Sequence, residues 1–218
     1  MPTVIPINVI LASNSPRRRM LLEQAGVKFV SYTAAEPVDE TLDDDQMSDP
    51  HEAVKKLAER KAGAVVQEIL SQNPVGLGII IGADTTVVLD GEMLGKPYSA
   101  DHARDMLRKL SGRTHEVITG VSVWMVMLRD DVPEEEGGVS LAFRSFSEVS
   151  QVTFKELTDE QINAYVATGE TIDKAGAYGI QGLGRVLVEG IRGDYETVVG
   201  LPAARVYRAL RKHDIVAR

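Results

Sequence analysis

Cysteine is absent from the 218 residues of this chain, so disulfide bridges, thiolate zinc sites and cysteine nucleophiles are excluded. Basic residues are also scarce, since 24 Lys and Arg face 32 Asp and Glu and leave a formal net charge of -8. Proteins that bind nucleic acid non-specifically normally carry the opposite balance, and we therefore expect no nucleic-acid partner. The four histidines lack the spacing of metal ligands.

Long hydrophobic runs are missing as well, because no stretch approaches the length of a membrane-spanning helix. The first seven residues, Met-Pro-Thr-Val-Ile-Pro-Ile, have neither the basic head nor the cleavage site of a signal peptide. We therefore expect a cytoplasmic protein without a membrane partner. Hydrophobic residues make up 44% of the chain and no linker divides it, so we expect one domain over residues 1–218.

Apolar periodicity and turn signals predict an α/β fold with a mixed central sheet and flanking helices, because strands alternate with helices first and pair with each other later. Asp90-Gly91 between two apolar runs predicts a β-hairpin. The predicted strands cover residues 4–12, 27–32, 79–81, 86–89, 92–94, 117–128, 143–157, 185–188 and 195–199. The predicted helices cover residues 16–25, 50–69, 100–110, 158–166 and 202–212.

The segment Ser13–Arg18, with the sequence Ser-Asn-Ser-Pro-Arg-Arg, follows the first predicted strand. Pro16 suits a first helical turn because it has no N–H to lose there, and Ser15 is then the N-cap. Arg17 and Arg18 fall in that turn, where the positive end of the helix repels them. A polyphosphate shared by the arginines, the serines and the free N–H groups explains this arrangement. The alternative is an ordinary capped helix with surface arginines.

Asp84 follows the apolar run Ile79–Ile81 and precedes Thr85. A carboxylate at the C-terminal end of a central strand lies in the usual ligand crevice of an open α/β sheet. There Asp84 would hold Mg²⁺ or deprotonate a water molecule. The alternative is an aspartate that caps a turn.

Four further charged residues are candidates for the same site. Lys96 is held in extended backbone by the proline that follows it, and Lys61 lies on a predicted helix; each lysine either donates to a phosphate or is simply solvated. Asp39 and Glu40 lie in an acidic stretch, residues 35–50, that predicts a loop. They are candidate metal ligands, because hard cations prefer oxygen donors, or else solvated loop acids.

Residues 173–184 carry four glycines, which predicts irregular backbone that can approach a ligand closely. Gln181 within this stretch has an amide donor and an amide acceptor, the groups needed to read one edge of a nucleobase. The stretch has neither the Gly-Lys-Ser/Thr of a Walker loop nor the Gly-x-Gly-x-x-Gly spacing of a dinucleotide fingerprint. These absences exclude the usual kinase and dehydrogenase sites.

Taken together, these segments resemble the Maf family of nucleotide pyrophosphatases. The matching pieces run in order through almost the whole chain: Leu11-Ala-Ser-Asn-Ser-Pro-Arg-Arg18, Gly82-Ala-Asp-Thr85, Leu94-Gly-Lys-Pro97, Leu110-Ser-Gly112 with His115 and Thr119, Asp173-Lys-Ala-Gly-Ala-Tyr-Gly-Ile-Gln-Gly182, Gly193-Asp-Tyr195 and Val199-Gly-Leu-Pro202.

The resemblance implies an elongated two-lobed fold with a central cleft, like that of inosine-triphosphate pyrophosphatases, and a homodimer. It implies hydrolysis of a nucleoside triphosphate between the α- and β-phosphates with a divalent metal, Mg²⁺ or Mn²⁺. In the family the residue that matches Asp84 is the proton acceptor. Lys61 and Lys96 match active-site lysines, and Asp39 or Glu40 matches a loop carboxylate.

Arg17, Thr85 and Gln181 match the family positions linked to base choice, and their combination resembles the branch that acts on dTTP and UTP. The preference among dTTP, UTP, CTP and modified bases stays open. So does a second hypothesis, a non-catalytic nucleotide-binding regulator of cell division or septum formation. The segment 129–147 is longer and more acidic than the family needs, and it bears on the oligomeric state more than on the chemistry.

Overall fold

A computed structural model describes residues 7–71, 77–128 and 138–211 of the chain. Within these ranges one mixed sheet is flanked by helices, which confirms the predicted α/β class. The strands are β1 (Ile7–Leu11), β2 (Val30–Ser31), β3 (Leu77–Leu89), β4 (Glu92–Leu94), β5 (Thr114–Leu128), β6 (Val139–Phe154) and β7 (Val188–Arg192). The helices are α1 (Pro16–Gln24), α2 (Asp44–Ser48), α3 (Pro50–Ser71), α4 (Ala100–Leu110), α5 (Asp159–Ala167), α6 (Tyr195–Val199) and α7 (Ala203–Arg211). None of the described helices is long and apolar enough to cross a bilayer.

The strand order is β2-β1-β3-β5-β6-β7, and β4 also pairs with β3. β1 is parallel to β2 and β3, whereas the other described pairings are antiparallel. Among the described strands, β1 pairs with residues 77–81 of β3, β4 pairs with residues 87–89, and residues 82–86 pair only with β5. The interval between β1 and β4 leaves one edge of β3 open in the middle of the sheet.

Two hydrophobic cores lie on either side of this interval. The first packs β1, the start of β3 and part of β5 against α1 and α7, with Leu11, Leu22 and Leu210 fully buried. The second packs the end of β3 and β4 against α4 and α5, with Leu107 and Ile162 buried. The two cores correspond to the two lobes that the family resemblance implies.

Helix α3 lies directly on β3 and β5 because glycines face it on both strands. A Cβ atom added at Gly82 would lie 2.2 Å from the carbonyl oxygen of Ala58, and one at Gly120 would lie 2.4 Å from the carbonyl oxygen of Val54. Side chains larger than hydrogen therefore force the helix away from the sheet. This close approach brings Lys61, on the next turn of α3, to the middle of β3.

Several local predictions are confirmed by hydrogen bonds. The hydroxyl of Ser15 accepts from the Arg18 amide as the N-cap of α1, and Ser99 caps α4 in the same way. A capping box that Thr158 forms at the start of α5 was not predicted. The turn at Asp90-Gly91 has positive φ at both residues and joins β3 to β4, as a two-residue hairpin requires.

Other boundaries were wrong. Tyr195–Val199 is the helix α6 rather than a strand, because the Asp194 carboxylate accepts from the Glu196 and Thr197 amides and starts a helical turn. Residues 185–187 belong to the 3₁₀ segment Gly182–Leu187, and the strand follows it as β7. In the predicted strand 27–32 only Val30–Ser31 pairs, and α2 interrupts the predicted loop 35–50. Parts of three predictions, residues 4–6, 129–137 and 212, lie outside the described residues.

Candidate active site

A cavity of about 810 Å³ lies at the open edge of β3, between the end of β1 and the start of β4. Its walls come from the β1–α1 turn, the loop before α2, helix α3, β3, the loop after α5 and the end of α6. Nine of the ten predicted site residues line it: Ser13, Arg17, Arg18, Glu40, Lys61, Asp84, Thr85, Lys96 and Gln181. Asp39 is the exception.

We predicted that Asp84 ends a strand, but it lies within the continuous strand β3. The crevice exists because β1, rather than β3, stops there. Side chains alternate along a strand, so Asp84 points to the face that α3 covers and Thr85 points to the face of α1 and α6. One cavity reaches both faces because the edge of β3 is open between them.

On the α3 face, Lys61 bridges two carboxylates. Its Nζ lies 2.5 Å from Asp84 Oδ1 and 2.7 Å from Glu40 Oε1. The side chains of Lys61 and Asp84 are only 18% and 15% exposed, whereas that of Glu40 is 50% exposed. Burial opposes ionisation of Glu40, but the hydrogen bond and charge of Lys61, with the charge of Lys96, outweigh it and lower the pKa of Glu40. Glu40 is therefore ionised at neutral pH.

The donor set on this face fits a divalent metal. Asp84 and Glu40 supply oxygen ligands, and Mg²⁺ is usually held by one or two carboxylates with its other positions filled by phosphate and water. Among the described residues no group of three or more acidic or histidine side chains is placed to hold a metal alone. Asp39 is turned away: its Oδ1 accepts from the Thr41 amide at 2.9 Å, and this hydrogen bond lowers the pKa of Asp39.

On the opposite face, the partly buried Arg18 guanidinium lies among neutral acceptors. Its Nε donates to the carbonyl oxygen of Gly200 at 2.9 Å, and its terminal nitrogens lie 3.3 Å from Thr85 Oγ1 and 3.5 Å from Ser13 Oγ. Burial lowers the pKa of Arg18, and the charge of Asp84 partly offsets this effect. Within the described ranges no carboxylate lies at ion-pair distance from this arginine. A partly buried cation without an anionic partner attracts an anion from the cavity.

Arg17 lies nearer the mouth of the cavity. One of its terminal nitrogens is 3.7 Å from Asp173 Oδ2, a weak ion pair between a partly exposed and a largely exposed side chain. The hydroxyl of Ser13 accepts from the Ser15 amide at 3.2 Å, which shapes the turn before α1. Arg17 and Arg18 thus belong to different parts of the site although they are neighbours in the sequence.

The loop that carries Gln181 is braced by its own side chains. Lys174 Nζ donates to the Glu170 carbonyl oxygen at 2.7 Å and to Asp173 Oδ1 at 2.6 Å, and the Glu170 carboxylate accepts from the Leu183 amide at 3.2 Å. The Gly179 amide donates to the hydroxyl of Tyr165 at 3.1 Å. These bonds brace the loop on both sides of Gln181, whose half-buried residue lines the cavity.

Behind this loop, His115 and Tyr178 form a buried pair with 2.9 Å between Nε2 and the phenolic oxygen. Burial lowers the pKa of His115 to about 4 and raises the pKa of Tyr178. His115 is therefore neutral at physiological pH. Tyr178 lines the cavity, so the pair anchors the glycine-rich loop to β5.

Thr119 and Gly200 contact site residues, but the sequence did not lead us to predict a role for either. Thr119 Oγ1 lies 2.9 Å from Thr85 Oγ1 and donates to the carbonyl oxygen of Thr197 at 2.8 Å. Thr119 belongs to a piece that resembles the family, but its residue type alone gave no role for this fully buried hydroxyl on β5. Gly200 lies in the matching piece Val199-Gly-Leu-Pro202, but no side-chain pattern indicates the role of its backbone carbonyl.

Comparison with known proteins gives a consistent result over the whole chain. The profile of a family described as Maf-like protein matches residues 8–213. A protein of Bacillus cereus strain B4264 named dTTP/UTP pyrophosphatase is 44% identical over 207 residues, which cover 95% of this chain and 96% of that protein. Proteins with the same name from Bacillus cereus strain G9842 and from Bacillus anthracis are 43% and 44% identical over the same shares.

Proposed function

This chain belongs to the Maf-like protein family, and we propose that it is a nucleoside triphosphate pyrophosphatase acting on dTTP and UTP. The enzyme splits the bond between the α- and β-phosphates and releases a nucleoside monophosphate and pyrophosphate. One observation carries the proposal: a single cavity joins the Lys61–Asp84 pair on one face of β3 to the partly buried Arg18 on the other, which has no carboxylate partner among the described residues. The full-length relatives carry an enzyme name, which favours hydrolysis over the non-catalytic regulator.

The triphosphate is bound by the cationic side of the cavity. Arg18 and the hydroxyl of Ser13 meet the phosphates at the start of α1, and Arg17 and Lys96 add charge nearer the mouth. Charge-assisted hydrogen bonds from arginine to phosphate are among the strongest in proteins. Positive charge fixed here stabilises the negative charge that develops on the leaving pyrophosphate.

The chemistry belongs to the carboxylate side. Asp84 orients the attacking water or takes its proton, and Lys61 holds the Asp84 carboxylate in place. Asp84 and Glu40 would hold a divalent metal, Mg²⁺ or Mn²⁺, which when bound neutralises phosphate charge and polarises the phosphorus–oxygen bonds. The support for this metal is the pair of carboxylates that converge on one ammonium group.

Base choice is assigned to Gln181 and Arg17, whereas Thr85, the third position that the resemblance links to base choice, contacts the phosphate-binding Arg18. Gln181 offers both an amide donor and an amide acceptor to the edge of a pyrimidine. The braced loop around Gln181 supports this assignment, because a reader of base edges has to be held in a fixed orientation.

The homodimer and the cytoplasmic location complete the proposal, and both follow from the family resemblance and composition. Size-exclusion chromatography with light scattering tests the dimer, which has twice the 23.7 kDa of the single chain. A single-chain mass at micromolar concentration would contradict it.

Pyrophosphate release from a panel of triphosphates, including dTTP, UTP, CTP and purine nucleotides, tests the activity with Mg²⁺ or Mn²⁺ present. We expect release from dTTP and UTP and loss of release when the metal is chelated. Nucleotide binding without release from any substrate would support the regulator instead.

The variant Asp84→Asn tests the role of the carboxylate, because it keeps the shape and removes the charge. We expect kcat to fall on the order of 10²-fold or more, as for loss of a general base. Asp105→Asn is the matched control, since Asp105 is an exposed acid on α4 paired with Arg108. Near-normal turnover by Asp84→Asn would contradict the assignment.

A further inference from the structure

The hydrogen bonds around Thr85 fix the direction in which each hydroxyl donates. Thr119 Oγ1 lies 2.8 Å from the Thr197 carbonyl oxygen, which can only accept, so the single hydroxyl proton of Thr119 points there. The Thr85–Thr119 bond of 2.9 Å therefore takes its proton from Thr85. Thr85 Oγ1 is then left with lone pairs alone, and a terminal nitrogen of Arg18 donates to it at 3.3 Å.

From this chain, which runs from Arg18 through Thr85 and Thr119 to Thr197, we propose that Thr119 is a positioning residue for the phosphate-binding Arg18. The inference rests on the proposed function. Thr119 is fully buried and does not line the cavity, so it acts on substrate only through Thr85 and Arg18. Hydrogen bonds that donate in one direction along a chain polarise and strengthen each other.

The end of helix α6 thereby holds Arg18 twice. The Gly200 carbonyl accepts directly from Nε, and the Thr197 carbonyl accepts through the two threonines. Two separate attachments fix both the position and the rotation of a planar guanidinium, and bidentate recognition of phosphate depends on both. Loss of the Thr119 hydroxyl removes one attachment and leaves the other in place.

The same series of hydrogen bonds limits which groups the Thr85 hydroxyl can donate to. Since its proton is committed to Thr119, Thr85 has no proton to give to a carbonyl oxygen of uracil or thymine. We expect its influence on substrate to pass through Arg18, whose N–H it accepts, and to be felt at the phosphates. We expect removal of the Thr119 or the Thr85 hydroxyl to weaken the binding of dTTP, UTP and CTP to the same degree.

Calorimetric titration of inorganic triphosphate in the presence of a chelator measures this effect without requiring turnover. We expect Thr119→Val to raise the Kd about tenfold, the upper end of the usual range for one lost hydrogen bond between neutral groups, and Thr119→Ser to stay within about twofold of the native protein. Thr86→Val is the matched control: Thr86 is equally buried on β3, but it points to the α3 face. It should leave the Kd unchanged.

A double-mutant cycle separates positioning from general loss of structure. In an Arg18→Lys background, Thr119→Val should have no further effect on the Kd, because its target is gone. In steady-state assays the KM should rise about tenfold for dTTP, UTP and CTP alike, with kcat changed less than threefold. Thr85→Val breaks the same series of hydrogen bonds at its middle bond. It replaces Thr119→Val in these measurements if that variant does not fold.

The positioning role would be overturned if Thr119→Val raised the Kd as much in the Arg18→Lys background as in the native protein. It would also be overturned if Thr119→Ser raised the Kd as much as Thr119→Val. A shift in the ratio of KM between dTTP and CTP would overturn the statement about Thr85. Absence of pyrophosphate release by the native protein would contradict the proposed function alone, because the triphosphate titration does not depend on it.

Discussion

Removing the Lys61 ammonium is the sharpest test of the carboxylate face. Lys61→Met keeps most of the length and apolar surface of the side chain and leaves Asp84 and Glu40 facing each other without the cation between them. Breaking a buried ion pair by removal of one partner costs about 3–5 kcal/mol, whereas an exposed pair contributes about 1 kcal/mol or less. The Asp84 pair belongs to the first class, and the half-exposed Glu40 adds little. We therefore expect the free energy of unfolding to fall by about 3 kcal/mol at pH 7.5.

The loss should depend on pH in a defined direction. Lys61 lowers the pKa of Glu40 below its ordinary value of 4.5, so the stability that this carboxylate gains is present above pH 4.5 and is lost as the pH falls through the lowered pKa. The difference in the free energy of unfolding between the native protein and Lys61→Met is thus largest at neutral pH and becomes smaller below pH 4.5.

Urea unfolding at pH 7.5 and at pH 4 measures both quantities. Lys56→Met is the matched control on the same helix, since Lys56 is half-exposed and lies 3.8 Å from Glu59 across one helical turn. It should change the free energy of unfolding by no more than about 0.5 kcal/mol. A loss below about 1 kcal/mol in Lys61→Met would refute the reasoning, and a loss that grows as the pH falls below 4.5 would refute the part assigned to Glu40.

Three further variants test other parts of the site. Gln181→Ala should change the ratio of kcat/KM between pyrimidine and purine triphosphates; a uniform fall would point to a structural role. Gly120→Ala should destabilise the protein by about 1–3 kcal/mol in urea unfolding and lower kcat, because it lifts α3 and Lys61 from the sheet, whereas Gly78→Ala, with no close neighbour, should do neither. Between pH 6.5 and 4 the unfolded chain binds a proton at His115 that the native state excludes, so stability should fall by about 1.4 kcal/mol per pH unit, and His115→Gln should flatten that slope in pH-dependent unfolding.

Short-range signals made much of the fold predictable from the sequence. The Ser15 N-cap and the Asp90-Gly91 hairpin depend on neighbouring residues, and both are confirmed. The failure at Tyr195–Val199 is also local: the β-branched valines suggested a strand, but the Asp194 cap decided for a helix. That signal was present in the sequence and was outweighed by the apolar pattern.

The geometry of the site depends on long-range pairing, which no local pattern contains. Asp84 looked like the end of a strand because the apolar run Ile79–Ile81 stops there, yet β3 continues to Leu89. The crevice exists because β1 stops at Leu11, and only the pairing register between β1 and β3 reveals that. The contacts of Arg18 with Gly200 and Thr85 span 182 and 67 residues, beyond the reach of motif spacing.

The shared strands also govern how the cleft can move. β3 and β5 pair without interruption from Leu77 to Val88, so both lobes are built on the same two strands. A cleft between lobes joined by a linker opens by rotation about a hinge, but here such a rotation would shear the ladder beside Asp84. We therefore expect substrate entry and product release to depend on movement of the loop before α2 and the loop after α5, which form the outer walls of the cavity. The reacting centre on β3 stays rigid.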